Sequence, residues 1–239
     1  MTEETKIQLR RSTRVLLERD GYAGPAPGRM ALVLARAGVG KTAFLVGIGL
    51  DALLAGQKVL HVTLHRTVEK VRAWYDELVD ELVRSQGIPE ARTEILLEIE
   101  RHRHIRTFFG SSFGPDQLRQ TLELLASHAE FRPDLIIVDR LMLEETPRET
   151  IEKVCEVARE SGAELWMSGR THRDAPPARA GHLPQPADGL EDLVDLAFLL
   201  KHDGQVVRLH VLKDHDHVMS RRMDVALDPN TLLLVGEGG

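Results

Sequence analysis

The chain is predicted to fold as an α/β domain: a mostly parallel central sheet flanked by helices, with an antiparallel C-terminal edge. Three observations predict it. Apolar runs with strand character alternate with segments of helical periodicity between about residues 30 and 168. A glycine-containing loop, Ala35-Arg-Ala-Gly-Val-Gly-Lys-Thr42, joins the first such run to the first such helix. Towards the C-terminus strands follow one another directly, which calls for hairpins rather than crossovers.

The elements read as follows. Residues 2–20 have a ragged apolar face (Ile7, Leu9, Val15, Leu16, Leu17) and are predicted helical. Gly21–Gly28, with Pro25 and Pro27, breaks that helix and is read as a linker, so the domain proper is placed at 29–239 and the helix with its linker at 1–28. Met30-Ala-Leu-Val-Leu34 is the first strand. The helix after the loop runs to about Ala55, where Gly56 supplies a stop. Lys58–His65 alternates as a second strand. Residues 67–84 form a helix with Val71, Trp74, Leu78 and Leu82 on one stripe, a further helix covers about 90–100, and His104–Phe109 is a third strand. Pro115 and Asp116 open a helix carrying Leu118, Leu122, Leu125 and Ala129. Asp134–Asp139 is a buried strand, 148–161 a helix and Ala163–Ser168 the next strand. Residues 170–189, rich in Arg, Pro, Gly and His, are read as a mobile loop or working surface. Leu190–Leu200 is read as a short helix and strand, Gln205–Leu212 and Met219–Leu227 as a hairpin around Asp214-His-Asp-His217, and 231–235 as an edge strand.

Composition narrows the setting. At 239 residues with 42% hydrophobic content the chain can bury a real core. A net charge of −6 excludes a generally basic, nucleic-acid-coating surface. Cys155 is the only cysteine, so no intramolecular disulfide forms and a reducing compartment is expected. It shares a helical stripe with Ile151, Val154 and Ala158 and is read as a core residue. The first residues lack an apolar signal core and no run approaches a membrane-spanning length, so a cytoplasmic protein without a membrane partner is expected.

The loop at 35–42 is the most informative stretch. It follows the pattern G-x-x-x-x-G-K-[ST] except that Ala35 replaces the first glycine. Such a loop wraps backbone N–H groups around phosphate oxygens. Ala35, Arg36, Ala37, Gly38, Val39, Gly40, Lys41, Thr42 and Ala43 are therefore the candidate nucleotide contacts, with Lys41 on the outer phosphates and the Thr42 hydroxyl on Mg²⁺. Asp139, a carboxylate at the end of a buried strand, is the second candidate Mg²⁺ residue. The cofactors expected are ATP and Mg²⁺. The histidines at 215 and 217 share a strand face, but two ligands do not make a metal site. The basic run Arg101-His-Arg-His-Ile-Arg106 lacks interleaved aromatics, which leaves base stacking unsupported.

Together these residues resemble the RecA-like ATPases, especially the ATPase domain of DnaB-type replicative helicases and the KaiC-like group, over about residues 28–215. Ala35–Phe44 resembles the DnaB form of the phosphate loop, which also starts with Ala. Gly114-Pro-Asp-Gln-Leu-Arg119 followed by Asp134–Leu141 resembles the family's helix and Mg²⁺-site strand, Leu165–His172 its sensor strand, and Val211–His215 its terminal hairpin with a Lys-x-Arg finger. The resemblance implies nucleotide binding and assembly into a ring or smaller homo-oligomer. It also assigns three catalytic positions: His65 where the family has its water-activating glutamate, and Lys213 and His215 where it has its finger. Glu69, one turn beyond His65, is read as a solvated helix residue. Gly169 falls where the family has its sensor glutamine, with Arg170 beside it.

An intact binding set beside an altered catalytic set predicts a Mg-ATP-binding protein with weak or conditional hydrolysis, acting as a nucleotide-controlled switch or assembly factor on an unidentified protein partner. The rival expectation is a motor on single-stranded DNA, with Arg170, Arg173 and Arg179 on the strand-contacting loop. A third is a structural partner whose nucleotide only stabilises the fold.

Overall fold

The computed structural model describes residues 28–110, 112–172 and 178–228, with isolated positions on either side: 13, 17, 21, 22, 24–26, 231 and 234–236. The helix expected over 2–20 lies largely outside the described residues, although Thr13 and Leu17 are helical and buried.

Nine strands form one sheet in the order β3-β2-β4-β5-β1-β6-β7-β8-β9. They are β1 (Met30–Ala35), β2 (Val59–Leu64), β3 (Arg103–Phe108), β4 (Leu135–Asp139), β5 (Glu164–Arg170), β6 (Val194–Asp203), β7 (Val206–Asp214), β8 (His217–Leu227) and β9 (Leu234–Gly236). The first six pair in parallel; β6 to β9 pair antiparallel. The helices are α1 (Lys41–Leu54), α2 (Val68–Gln86), α3 (Arg92–His102), α4 (Pro115–Ala129) and α5 (Arg148–Ser161), with a short 3₁₀ turn at Pro89–Ala91.

Strand alternation divides the core in two. In β1, Ala31, Val33 and Ala35 face one cluster, packed with α1 and α2; Met30, Leu32 and Leu34 face the other, packed with α5. The first cluster centres on Phe44, Trp166 and Phe198, the last two stacked with centroids 6.1 Å apart. Helix α1 is buried nearly all round (Ala43–Leu50), because it lies against the sheet and beneath α2 and α3. Cys155 is buried in the second cluster, and burial pushes its thiol up to about 12.

Several details differ from the sequence reading. No helix forms over 190–194: three turn residues lead directly into β6, which is longer than expected because it pairs with both β1 and β7. The segment 178–189 is not simply a free loop, since Leu183 and Ala187 are buried and Glu191 accepts from the Leu183 and Gly189 amides. Ala129 is exposed at the end of α4. The stretch read as a linker is tied to the domain: Tyr22 packs edge-on against Phe198, and the Ala26 amide and Arg29 guanidinium both donate to Asp195. No described helix is long and apolar enough to cross a membrane.

Candidate nucleotide-binding site

The carboxyl ends of β1, β2, β4 and β5 converge on one cavity of about 300 Å³, the position where ligands bind in open α/β sheets. The loop 36–40 forms one wall. Ala35 itself is the last residue of β1, in register with Arg170, so its backbone is extended and a methyl group is tolerated where the pattern has glycine. Gly38 (φ 79°) and Gly40 (φ 108°) do occupy the left-handed region, and they turn the chain sharply into α1. The first intrahelical bond runs from the Phe44 amide to the Gly40 carbonyl. The Lys41, Thr42 and Ala43 amides are thus among the orphan donors of the first turn; no side chain caps the helix and its first turn contains no acidic residue. Arg36 and Ala37 are exposed on the loop, and Val39 is buried beneath it.

The floor is a chain of short hydrogen bonds. Thr42 Oγ1 donates to Asp139 Oδ2 at 2.7 Å, Ser168 Oγ donates to Asp139 Oδ1 at 2.6 Å, and the Arg140 amide donates to Ser168 Oγ at 2.9 Å. Asp139 is 1% exposed and, among the described residues, forms no ion pair. A buried carboxylate satisfied only by two hydroxyls leaves a negative charge facing the pocket. Next to it on β2, in register with Asp139, the buried Thr63 Oγ1 has no hydrogen-bond partner. A buried carboxylate at a strand end, a hydroxyl and an orphan oxygen fit a hard, oxygen-seeking cation such as Mg²⁺, which Thr42 and Asp139 would hold directly or through water. Among the described residues no group of three or more His, Cys, Asp or Glu forms another metal cluster, at His215 and His217 or elsewhere.

Lys41 donates to the Ala35 and Arg36 carbonyls at 2.8 and 3.0 Å. Burial lowers its ammonium to about 8; Asp139 opposes that shift, and Arg140 and Arg170 reinforce it. The pocket is therefore electropositive apart from Asp139, the sole carboxylate among its lining residues.

The other expected catalytic positions divide. His65 lines the pocket at the end of β2 in the left-handed region (φ 61°), exposed, with its amide donating to Phe108 O. Glu69 is exposed in the first turn of α2 and does not line the pocket. Lys213 and His215 are not in this pocket. The β7–β8 turn places them beside the start of β6, where the His215 amide donates to Asp195 O at 2.7 Å. That end aligns with Met30, so the length of β1 separates them from the loop, roughly 20 Å at about 3.3 Å per residue. Lys213 is 4% exposed, its ammonium lowered by burial and by the Arg29 charge. Within one chain these two residues cannot meet a nucleotide held by the loop. The topology is the reason: β7 runs antiparallel to β6, so its end returns to the opposite rim of the sheet.

Position 169 also differs from what the resemblance implied. Strand alternation turns Ser168 and Arg170 towards the pocket and Gly169 away from it; a Cβ at 169 would lie 2.6 Å from Leu34 Cδ2 and 2.7 Å from Leu143 Cδ1. Of the arginines read as a strand-contacting loop, Arg170 lines the pocket, Arg179 is exposed and Arg173 lies outside the described residues.

Sequence reasoning missed the layer beneath the floor. His61 is fully buried on the same face of β2 as Thr63; its Nδ1 is 3.1 Å from the Tyr75 hydroxyl. Burial lowers it to about 4, against the pull of Asp139 and with the push of Arg103. Arg103 lies over the Tyr75 ring at 4.6 Å and bonds Glu100, so the basic run 101–106 is not a continuous exposed surface. The signal available was parity: His61 lies two residues from Val59, on the inward face.

A parallel sheet with a phosphate loop after its first strand, a carboxylate on its fourth and an antiparallel C-terminal edge is the RecA-like P-loop fold. The chain is similar in structure to the ATPase domain of G40P, with a TM-score of 0.66 at 14% identity over 92% of this chain and 89% of that one. It is also similar to a DnaB-like replicative helicase, described with its interactions with primase, at a TM-score of 0.63 and 15% identity over 87% of this chain. The match spans 57% of that helicase chain. No protein-family model matches the sequence, and no curated protein matches it.

Proposed function

We propose that the chain binds Mg-ATP and hydrolyses it slowly, acting as a nucleotide-controlled switch or assembly factor. The observation that carries this reading is the contrast within one pocket: Thr42, Asp139 and Ser168 are hydrogen-bonded to one another beneath the loop and Lys41 bonds the loop's own carbonyls, while Asp139 is the sole lining carboxylate. Bound Mg²⁺ supplies charge neutralisation and orientation of the phosphates. The loop amides and Lys41 hold the phosphate oxygens, and Thr42 and Asp139 hold the ion. Hydrolysis also needs a group that takes a proton from the attacking water. His65 is a candidate on the rim, and Asp139 is committed to two hydroxyls. A positioned base contributes about 10²–10⁴ in rate, so its replacement leaves binding intact and turnover slow.

The test is to measure size in solution with and without Mg-ATP, with phosphate release from the same samples. A nucleotide-dependent change of size with slow turnover is expected. Turnover like that of a working helicase, or an intact loop that binds no nucleotide, overturns the reading. Nucleotide binding without any change of size or partner affinity favours a purely structural role.

A further inference from the structure

The pocket holds cationic groups beyond the phosphate loop's own lysine, and one of them occupies a privileged place. Arg170 ends β5, between the strand that carries Asp139 and the strand that leads into the loop. It is in register with Ala35, and the following amide, Thr171 N, donates to Ala35 O at 3.0 Å, which fixes the strand end against the root of the loop. Two residues earlier, on the same face, Ser168 donates to Asp139 at 2.6 Å. The guanidinium lines the cavity and lies close enough to Lys41 to affect its ionisation, yet among the described residues it has no carboxylate partner. Arg140 lines the same cavity, but its backbone has left the strand in the left-handed region (φ 70°).

We propose that Arg170 reads the terminal phosphate of a bound nucleoside triphosphate in cis, from the chain that holds the nucleotide. The inference rests on the nucleotide-binding reading above. Its chemical basis is that a guanidinium, always charged and with a planar fork of donors, pairs well with phosphate oxygens. A free guanidinium beside Lys41 is a repulsive arrangement until a polyanion enters between them. A triphosphate brings an additional phosphate to that spot and a diphosphate does not. The role falls to Arg170 because the neighbouring position 169 is packed shut by Leu34 and Leu143, and because Lys213 and His215 lie at the far rim of the sheet.

The test is titration of the full chain with ADP and with a non-hydrolysable ATP analogue, both with Mg²⁺, over a range of protein concentrations. The wild type is expected to prefer the triphosphate. Arg170→Ala is expected to lose about 10-fold or more in triphosphate affinity while ADP affinity changes little, as befits one charge-assisted contact. Arg170→Lys recovers part of the preference, and the preference does not vary with protein concentration. An exposed side chain leaves the fold intact, which a melting curve checks. Three results overturn the proposal: an unchanged preference in Arg170→Ala, no preference in the wild type, or loss on Arg140→Ala instead. A wild type that binds neither nucleotide, with Lys41→Ala no different, overturns the nucleotide reading itself.

Discussion

Thr42 and Asp139 are 97 residues apart in sequence and share one hydrogen bond of 2.7 Å on the pocket floor. The bond joins the first turn of α1 to the end of β4. It means the two groups suited to a divalent ion are already held together by the protein. Thr42→Val keeps the shape and removes the hydroxyl. Mg²⁺ is then expected to lose most of its effect on nucleotide affinity, measured by calorimetry with and without the ion. Without nucleotide, leaving Asp139 short of a donor costs about 1–3 kcal/mol of stability by denaturant titration.

Lys41 connects binding to pH. Its ammonium is lowered to about 8 chiefly by burial, so above that pH the nucleotide-free protein holds it increasingly neutral. A polyanion favours the charged form, so nucleotide binding above pH 8 takes up a proton, and the uptake fades towards pH 7. Calorimetry in buffers of different ionisation enthalpy reads it. The stability sign is opposite to that of a salt-bridged lysine. The unfolded chain binds more protons between pH 8 and the ordinary lysine value, so this group's penalty is fully present below pH 8 and is relieved as pH rises. Lys41→Ala abolishes nucleotide binding and removes both effects.

The two loop glycines are not equivalent. Both have positive φ, but a Cβ on Gly40 lies 2.6 Å from Leu227 Cδ2 whereas one on Gly38 meets open space. Gly38→Ala costs backbone strain alone, about 1–2 kcal/mol. Gly40→Ala costs more, because Leu227 on β8 must also move, and chemical denaturation of the two variants orders them.

Gly169→Gln, which installs the sensor glutamine that the sequence resemblance implied at this position, is expected to fail to raise turnover. Its side chain enters the packing of Leu34 and Leu143 rather than the pocket, which costs about 1–3 kcal/mol. Phosphate release does not rise. A faster enzyme of unchanged stability contradicts the strand parity described above.

His65→Glu tests what limits turnover. The position is on the pocket rim, so a carboxylate there can accept a proton from water near the phosphates. Phosphate release is expected to rise, by up to about 10²–10⁴ if the absent base is the main deficit. No increase means that position 65 is not what limits turnover.

Local signals in the chain specify the glycine-containing loop at 35–42, the alternation of strands and helices, the carboxylate at the end of β4 and the inward stripe containing Cys155. They are a loop that must turn at Gly38 and Gly40, runs whose period is 2 or 3.6, and an acid after an apolar run. The histidine at position 65 was likewise visible as a departure. What only the tertiary structure decided is which of these groups meet. Strand order set β5 between β1 and β4 and so joined Thr42, Asp139 and Ser168, which no spacing in the chain reveals. The side on which a strand residue points depends on its register with neighbours, so Gly169 turned out to face Leu34 while Arg170 took the pocket. The antiparallel return of β7 carried Lys213 and His215 to the opposite rim, and packing against α2 buried His61 with Tyr75. Pattern fixes the elements because each is governed by nearby residues; the site is governed by pairings between distant ones.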